Sequence, residues 1–120
     1  MKVLIAEDDP LTSKAIEHRL MLDNFEIYTA FNGKKAIEML KKEDFDLLLV
    51  DIHMPFKGGL EVIEFVRNEL NKTMPIAVVS RIGFSETVKR AFELGADEYI
   101  TKPFDPDVLS RKIKQMLNKS

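Results

Sequence analysis

The sequence predicts an α/β protein: a doubly wound parallel sheet of five strands, built as a (βα)5 unit with strand order 2-1-3-4-5. Three observations carry this. Short apolar runs and helix-period stretches alternate five times along 120 residues. The runs at residues 3–6, 47–50 and 76–79 are wholly apolar and belong inside the sheet, whereas residues 25–29 and 97–101 mix in polar groups and belong at its edges. Right-handed crossovers then permit this order, in which the chain reverses direction between strands one and three.

Each element has a local reason. After the first strand come Glu7, Asp8 and Asp9, and Asp9 is placed to cap a helix whose first residue is Pro10. Leu11, Ala15, Ile16, Leu20 and Leu22 give that helix an apolar stripe. Asn32-Gly33 opens a second, short helix with Ala36, Ile37 and Leu40 inward and lysines outward. The third strand stops at Asp51, and Pro55 with Gly58-Gly59 marks a turn into a helix carrying Leu60, Ile63, Val66 and Leu70. The fourth strand ends at Ser80; Phe84, Val88, Ala91 and Phe92 form the next helix, stopped at Gly95. The fifth strand runs into Lys102-Pro103, and a last helix starts near Asp105-Pro106 with Leu109, Ile113, Met116 and Leu117 inward. No linker, repeat or low-complexity segment interrupts the pattern, so a single domain over 1–120 is expected.

Composition removes several function classes. With 20 acidic and 18 basic residues, the net charge of −2 supplies no field for direct nucleic-acid or membrane binding. There is no cysteine, hence no disulfide framework, zinc-thiolate site or thiol nucleophile. No apolar run reaches the roughly 18 residues of a membrane span. The start turns acidic after four apolar residues, unlike a signal peptide, so a cytoplasmic location is expected. The six Met and eight Phe read as core filler.

Ligands of such sheets bind at the carboxyl ends of the strands, where the order reverses. That edge collects Glu7 and Asp8 from strand one, Asp51 from strand three, Ser80 from strand four and Lys102 from strand five. Crowded carboxylates take up a proton or a cation. Hard oxygen donors without cysteine or paired histidines favour Mg²⁺. A metal held by Asp8 and Asp51 would let Asp51 attack a phosphorus as a carboxylate nucleophile, giving an acyl phosphate, with Lys102 and the Ser80 hydroxyl on the phosphoryl oxygens. The other reading is an inert ion-pair cluster bridged by Lys102. Spacing alone leaves both standing.

The segments IAEDD, LLLVDIHMPFKGG, VVS and GADEYITKPF, taken together and in order, resemble the response-regulator receiver domain of two-component signalling. The resemblance implies the flavodoxin-like form of the sheet. It implies that Asp51 is the phosphoacceptor and Asp8 the principal Mg²⁺ ligand, with Glu7 acting through metal-bound water and His53 giving its backbone carbonyl. Ser80 would be the switch hydroxyl, Lys102 the site lysine and Tyr99 the aromatic that turns inward on activation. The Lys102-Pro103 bond would be cis. The implied partners are a sensor histidine kinase or phosphotransfer protein and a downstream effector or output domain. The implied role is a phosphoacceptor switch that is no enzyme beyond its own phosphorylation and dephosphorylation. Its output would be read on the surface of helix four, strand five and helix five.

Three departures stand out. Arg81 follows Ser80 where the family usually has Ala or Gly, so a long cation stands beside the site. Gly58 replaces a common Asp. His53 and Ile82 hold positions that tune hydrolysis in the family, and with Arg81 they suggest slow self-dephosphorylation. A phosphorylation-independent scaffold on the same fold is the alternative, and intact Asp8, Asp51, Ser80 and Lys102 argue against it. A flavin or nucleotide carrier would need a Gly-rich phosphate loop after strand one, where Glu7-Asp8-Asp9 stands instead. A carboxylate-nucleophile phosphatase would want an acid where His53 stands. His18 reads as solvated, and so do Lys34, Lys35, Lys41 and Lys42. Lys89, Arg90, Arg111, Lys112 and Lys114 flank Tyr99 and are open to a partner.

Overall fold

The computed structural model describes residues 1–54, 56–81 and 85–118. The expectations on Pro55, Ile82, Phe84 and the last two residues lie outside the described residues. The strands are β1 (Lys2–Ala6), β2 (Glu26–Ala30), β3 (Leu47–Asp51), β4 (Ile76–Ser80) and β5 (Glu98–Thr101). They pair in parallel in the order β2-β1-β3-β4-β5, the order read from strand composition. The helices are α1 (Pro10–Met21), α2 (Gly33–Lys42), α3 (Gly59–Glu64), α4 (Glu86–Leu94) and α5 (Pro106–Asn118). A π-helical turn, Phe65–Glu69, extends α3.

Strand side chains alternate between faces, so the all-apolar strands feed two separate cores. Leu4, Ala6, Leu48, Val50, Ile76 and Val78 pack under α2, α3 and α4, against Leu40, Val62, Ile63, Val66 and Val88. Val3, Ile5, Leu47, Leu49, Ala77 and Val79 pack under α1 and α5, against Ile16, Leu20, Leu109 and Ile113. Each such Leu, Ile or Val contributes about 1.5–3 kcal/mol of transfer free energy.

Helix ends follow from capping chemistry. Asp9 accepts from the Leu11 amide, Asn32 from Lys35 and Ser85 from Val88. Gly95 ends α4 at φ 122°, a conformation that a side chain resists.

Three local expectations need correction. The stripe assigned to α1 merged two. Ser13, Ile16 and Leu20 are buried, whereas Leu11, Ala15 and Leu22 are exposed, Leu11 by 81%. Residues 11, 15 and 22 share a second helical face, and the sheet can cover only one. β2 starts at Glu26, because the Phe25 amide is spent on Leu20 O at 3.3 Å, closing the end of α1. Phe31 and Phe56 are exposed, so not every aromatic fills the core.

Candidate functional site

The carboxyl edge of the sheet gathers the polar residues that end its strands. Glu7 directly follows β1, Asp51 and Ser80 close β3 and β4, and Lys102 directly follows β5. Strand register fixes their relative heights: Ala6 lies opposite Val50, Asp51 opposite Val79, and Ser80 opposite Thr101. The backbone closes this edge further, since the Lys102 amide donates to Ser80 O at 2.7 Å. The Lys102-Pro103 bond is cis.

Lys102 Nζ lies 2.5 Å from Glu7 Oε1 and 3.3 Å from Asp51 Oδ2. Glu7, Asp51 and Ser80 are buried, and Asp8 is exposed. One oxygen from each of Glu7, Asp8 and Asp51 lies within 4.8 Å of the others. Two backbone amides support the acids: His53 N donates to Asp51 Oδ1 at 3.0 Å, and Asp9 N to Glu7 Oε2 at 3.1 Å. α3 begins directly beneath. A Cβ on Gly59 would stand 2.5 Å from Asp51 O, so the close approach of this turn to the acid's backbone requires glycine.

The electrostatics are frustrated. Burial pushes the Glu7 carboxyl up to about 7; Lys102 opposes this, and neighbouring Asp51 adds to it. Burial also works against the charge of Lys102, but the carboxylates of Glu7 and Asp51 outweigh it and hold the ammonium above its usual range. The contact between Lys102 and Glu7 Oε1 is an ion pair by distance but misaligned as a hydrogen bond, so this buried oxygen lacks an aligned donor.

Three carboxylates therefore face one ammonium, and one buried oxygen is under-satisfied. A hard cation with room for its own waters fits this donor set. The acidic cluster of Glu7, Asp8 and Asp51 can hold a metal ion.

The remaining sequence-derived residues are spread out. His53 is exposed and meets Asp51 through its backbone amide. Tyr99 stands apart from the carboxylates, half-buried on the α4 side, with its ring edge-on to Phe92 at 6.2 Å. Arg81 is exposed and shares a groove of about 620 Å³ with Lys102, Leu11, Ala15, Pro103 and Phe104.

Sequence reasoning missed two polar clamps. Arg67, at the π turn, donates to Gly95 O at 3.0 Å and Lys72 O at 2.8 Å and pairs with Asp97 at 3.0 Å. Asp97 in turn accepts from the Ile76 amide at 2.8 Å. Between α1 and α5, Asp23 accepts from Ser110 Oγ at 2.6 Å and pairs with Arg19 and Lys114. The groove lined by Leu11 was also missed; its one sequence signal was the second apolar stripe of α1.

A five-stranded doubly wound sheet with acids and a lysine at its carboxyl edge defines a receiver-type signalling module rather than a nucleotide carrier. The chain belongs to the response regulator receiver domain family, whose model matches residues 3–114. It is 38% identical over 117 residues to the transcriptional regulatory protein CrdR of Helicobacter pylori, covering 98% of this chain and 55% of that protein. It is 36% identical over 120 residues to the cell cycle response regulator CtrA of Brucella ovis, covering all of this chain and 51% of that protein. The chain thus spans about half the length of these curated relatives. Among solved structures, it is similar to a CheY-like response regulator receiver domain protein of Methanospirillum hungatei. That similarity has a TM-score of 0.92 and 29% identity, and covers 98% of this chain and 94% of that one.

Proposed function

We propose that this chain is a phosphoacceptor switch in which Asp51 takes a phosphoryl group from the phosphohistidine of a sensor kinase or phosphotransfer protein. The observation that carries the reading is the placement of Lys102 Nζ 3.3 Å from Asp51 Oδ2, with Glu7 and Asp8 alongside.

The residues divide the work. Asp51 Oδ2 attacks phosphorus as the P–N bond to the donor imidazole breaks, leaving an aspartyl phosphate. Asp51 Oδ1 is held by the His53 amide, which leaves Oδ2 oriented for attack. Lys102 exchanges part of its carboxylate contact for a phosphoryl oxygen, and the Ser80 hydroxyl takes another. Asp8, Asp51, Glu7 through water, and the His53 carbonyl would hold Mg²⁺, which when bound neutralises charge on the incoming phosphoryl oxygens. Gathering Ser80 toward the phosphoryl group frees space on the β4–β5 side. Tyr99 turns inward there, and the face of α4, β5 and α5 presents a changed surface to an effector. Among the described residues no helix is long and apolar enough to cross a membrane, and cytoplasmic signalling is the setting we assign.

Intact-mass measurement after acetyl phosphate with Mg²⁺ tests this. Wild type gains one phosphoryl group and Asp51→Asn none. A folded wild type that gains none, and binds no beryllofluoride, refutes the reading and leaves a scaffold role. Equal uptake by Asp51→Asn refutes the choice of residue.

A further inference from the structure

We infer that the groove between α1 and the start of α5 is a binding site for an amphiphilic monocarboxylate, its alkyl body along α1 and its carboxylate on Arg81. Occupancy of the groove gates access to Asp51. The binding site stands by itself; the gate rests on the reading of Asp51 above.

The groove holds about 620 Å³. Small-molecule clefts run to roughly 300–1,000 Å³. Its walls are apolar: Leu11 and Ala15 come from α1, and Pro103, Phe104 and Pro106 from the segment that leads into α5. Phe104 packs on the core beneath α1 and α5, so the groove is backed by fixed side chains. Leu11 is 81% exposed and Ala15 is exposed, on the face of α1 that the sheet leaves uncovered. An apolar wall open to water gains free energy by taking an apolar body.

The groove is one-sided in charge. Arg81 and Lys102 line it, and none of its described lining residues is acidic. The Thr12 hydroxyl donates to Asp9 Oδ2 at 2.5 Å, so its proton is already used. Lys102 is held by Glu7 and Asp51, at 2.5 and 3.3 Å. Arg81 is exposed and has no ion pair with a described residue, so its guanidinium is available to an anion. A guanidinium fork meets both oxygens of a carboxylate in one plane. One available cation balances a single negative charge, and the acids behind Lys102 disfavour a dianionic head. An alkyl carboxylate satisfies both ends of the groove. Seated there, its head stands beside Lys102, where a phosphodonor must pass to reach Asp51.

The probe is decanoate, titrated into the whole chain and followed by amide NMR shifts. Octanoate, decyltrimethylammonium and decyl phosphate are run in parallel. We expect shifts gathered at residues 11–15, 81 and 102–106. Decanoate should bind about tenfold tighter than octanoate, from its two further buried CH₂ groups. Leu11→Asp sets a carboxylate in the wall, at the start of α1 where an acid suits the helix, and should weaken decanoate at least about tenfold. Arg81→Ala should weaken it about fivefold, the size of one partly exposed charge-assisted contact. Shifts scattered over the surface, equal affinity for the ammonium, or Leu11→Asp binding like wild type would overturn the site. Tighter binding of decyl phosphate would overturn the carboxylate head. Saturating decanoate should also slow acetyl-phosphate uptake severalfold in wild type. Unchanged uptake by a chain that binds decanoate overturns the gate and keeps the site. A wild type that takes up no phosphate overturns the reading of Asp51 and the gate with it, while the titration still decides the site.

Discussion

Gly58 and Gly59 are adjacent, both open α3, and should respond in opposite ways to substitution. Gly58 has φ −78° and ψ 173°, ordinary extended backbone, and a Cβ there would lie 3.6 Å from Ile52 O, a normal contact. It is the N-cap, and its glycine offers no side chain to the free amides of the first turn. Gly58→Asn should therefore be neutral or stabilise by a few tenths of a kcal/mol, roughly 0.2–0.5. A Cβ at Gly59 would stand 2.5 Å from Asp51 O and 2.8 Å from Ile52 Cα. Both are backbone atoms of the segment that carries the acceptor. They cannot rotate away, so α3 or the end of β3 must shift by several tenths of an ångström. Overpacking of this kind costs about 1–3 kcal/mol. With a guanidinium slope of roughly 3 kcal/mol per molar for a chain of this size, the midpoint should fall by about 0.3–1 M. Denaturation followed by circular dichroism reads both variants, and the same samples can be scored for acyl-phosphate uptake. The shift at Asp51 should slow uptake in Gly59→Ala and not in Gly58→Asn. A Gly59→Ala midpoint equal to wild type would refute the close-approach account, as would an equal loss in both variants.

Other outcomes follow from charge. Glu7 has its carboxyl raised from the usual 4.5 to about 7, so the folded state binds a proton that the unfolded state has released. The stability this gives the metal-free protein is complete below about pH 4.5 and is lost as pH rises through 7, by no more than about 3 kcal/mol. Urea melts across that range should show the decline in wild type and not in Glu7→Gln, and Mg²⁺ should offset it. Asp23 titrates the other way. Chiefly the Ser110 hydroxyl, aided by Lys114 and Arg19, lowers it to about 2, so its contribution is complete above about pH 3.8 and fades as pH falls toward 2. Asp23→Asn should be less stable than wild type by about 1–2 kcal/mol near neutrality, with the gap closing in acid melts. Arg67→Met keeps the stem but strips donors from Gly95 O and Lys72 O, and thermal denaturation should report a loss of about 2–3 kcal/mol.

Much of the sheet was legible because burial on both faces leaves one signature, an unbroken apolar run, and Leu47–Asp51 and Ile76–Ser80 carry it until their last residue. The convergence of Glu7, Asp8, Asp51 and Lys102 was legible for a related reason. In a parallel sheet every strand exits on one edge, so the first polar groups after the strands become neighbours without being near in sequence. The rotation of α1 was not legible, since residues 11, 15 and 22 make as good a stripe as 13, 16 and 20. Nor were the partners of Arg67, which are carbonyls, and a carbonyl leaves no mark on the sequence. A bridge from Lys102 to the clustered acids was among the sequence readings, but that Glu7 is the acid it meets most closely, at 2.5 Å, depends on side-chain direction at a turn, which spacing does not encode.

The division of the interior into two cores makes the sheet a bulkhead. Val78 and Val79 are consecutive in the chain yet serve compartments with no shared neighbours above and below the strands. A void opened beneath α1 and α5 cannot be refilled by repacking beneath α2, α3 and α4. Paired truncations, one on each side, should sum, whereas pairs within a side should interfere with each other. The two halves of this small protein are thereby free to drift in sequence almost independently, coupled only through the backbone ladder and the charged rim they share.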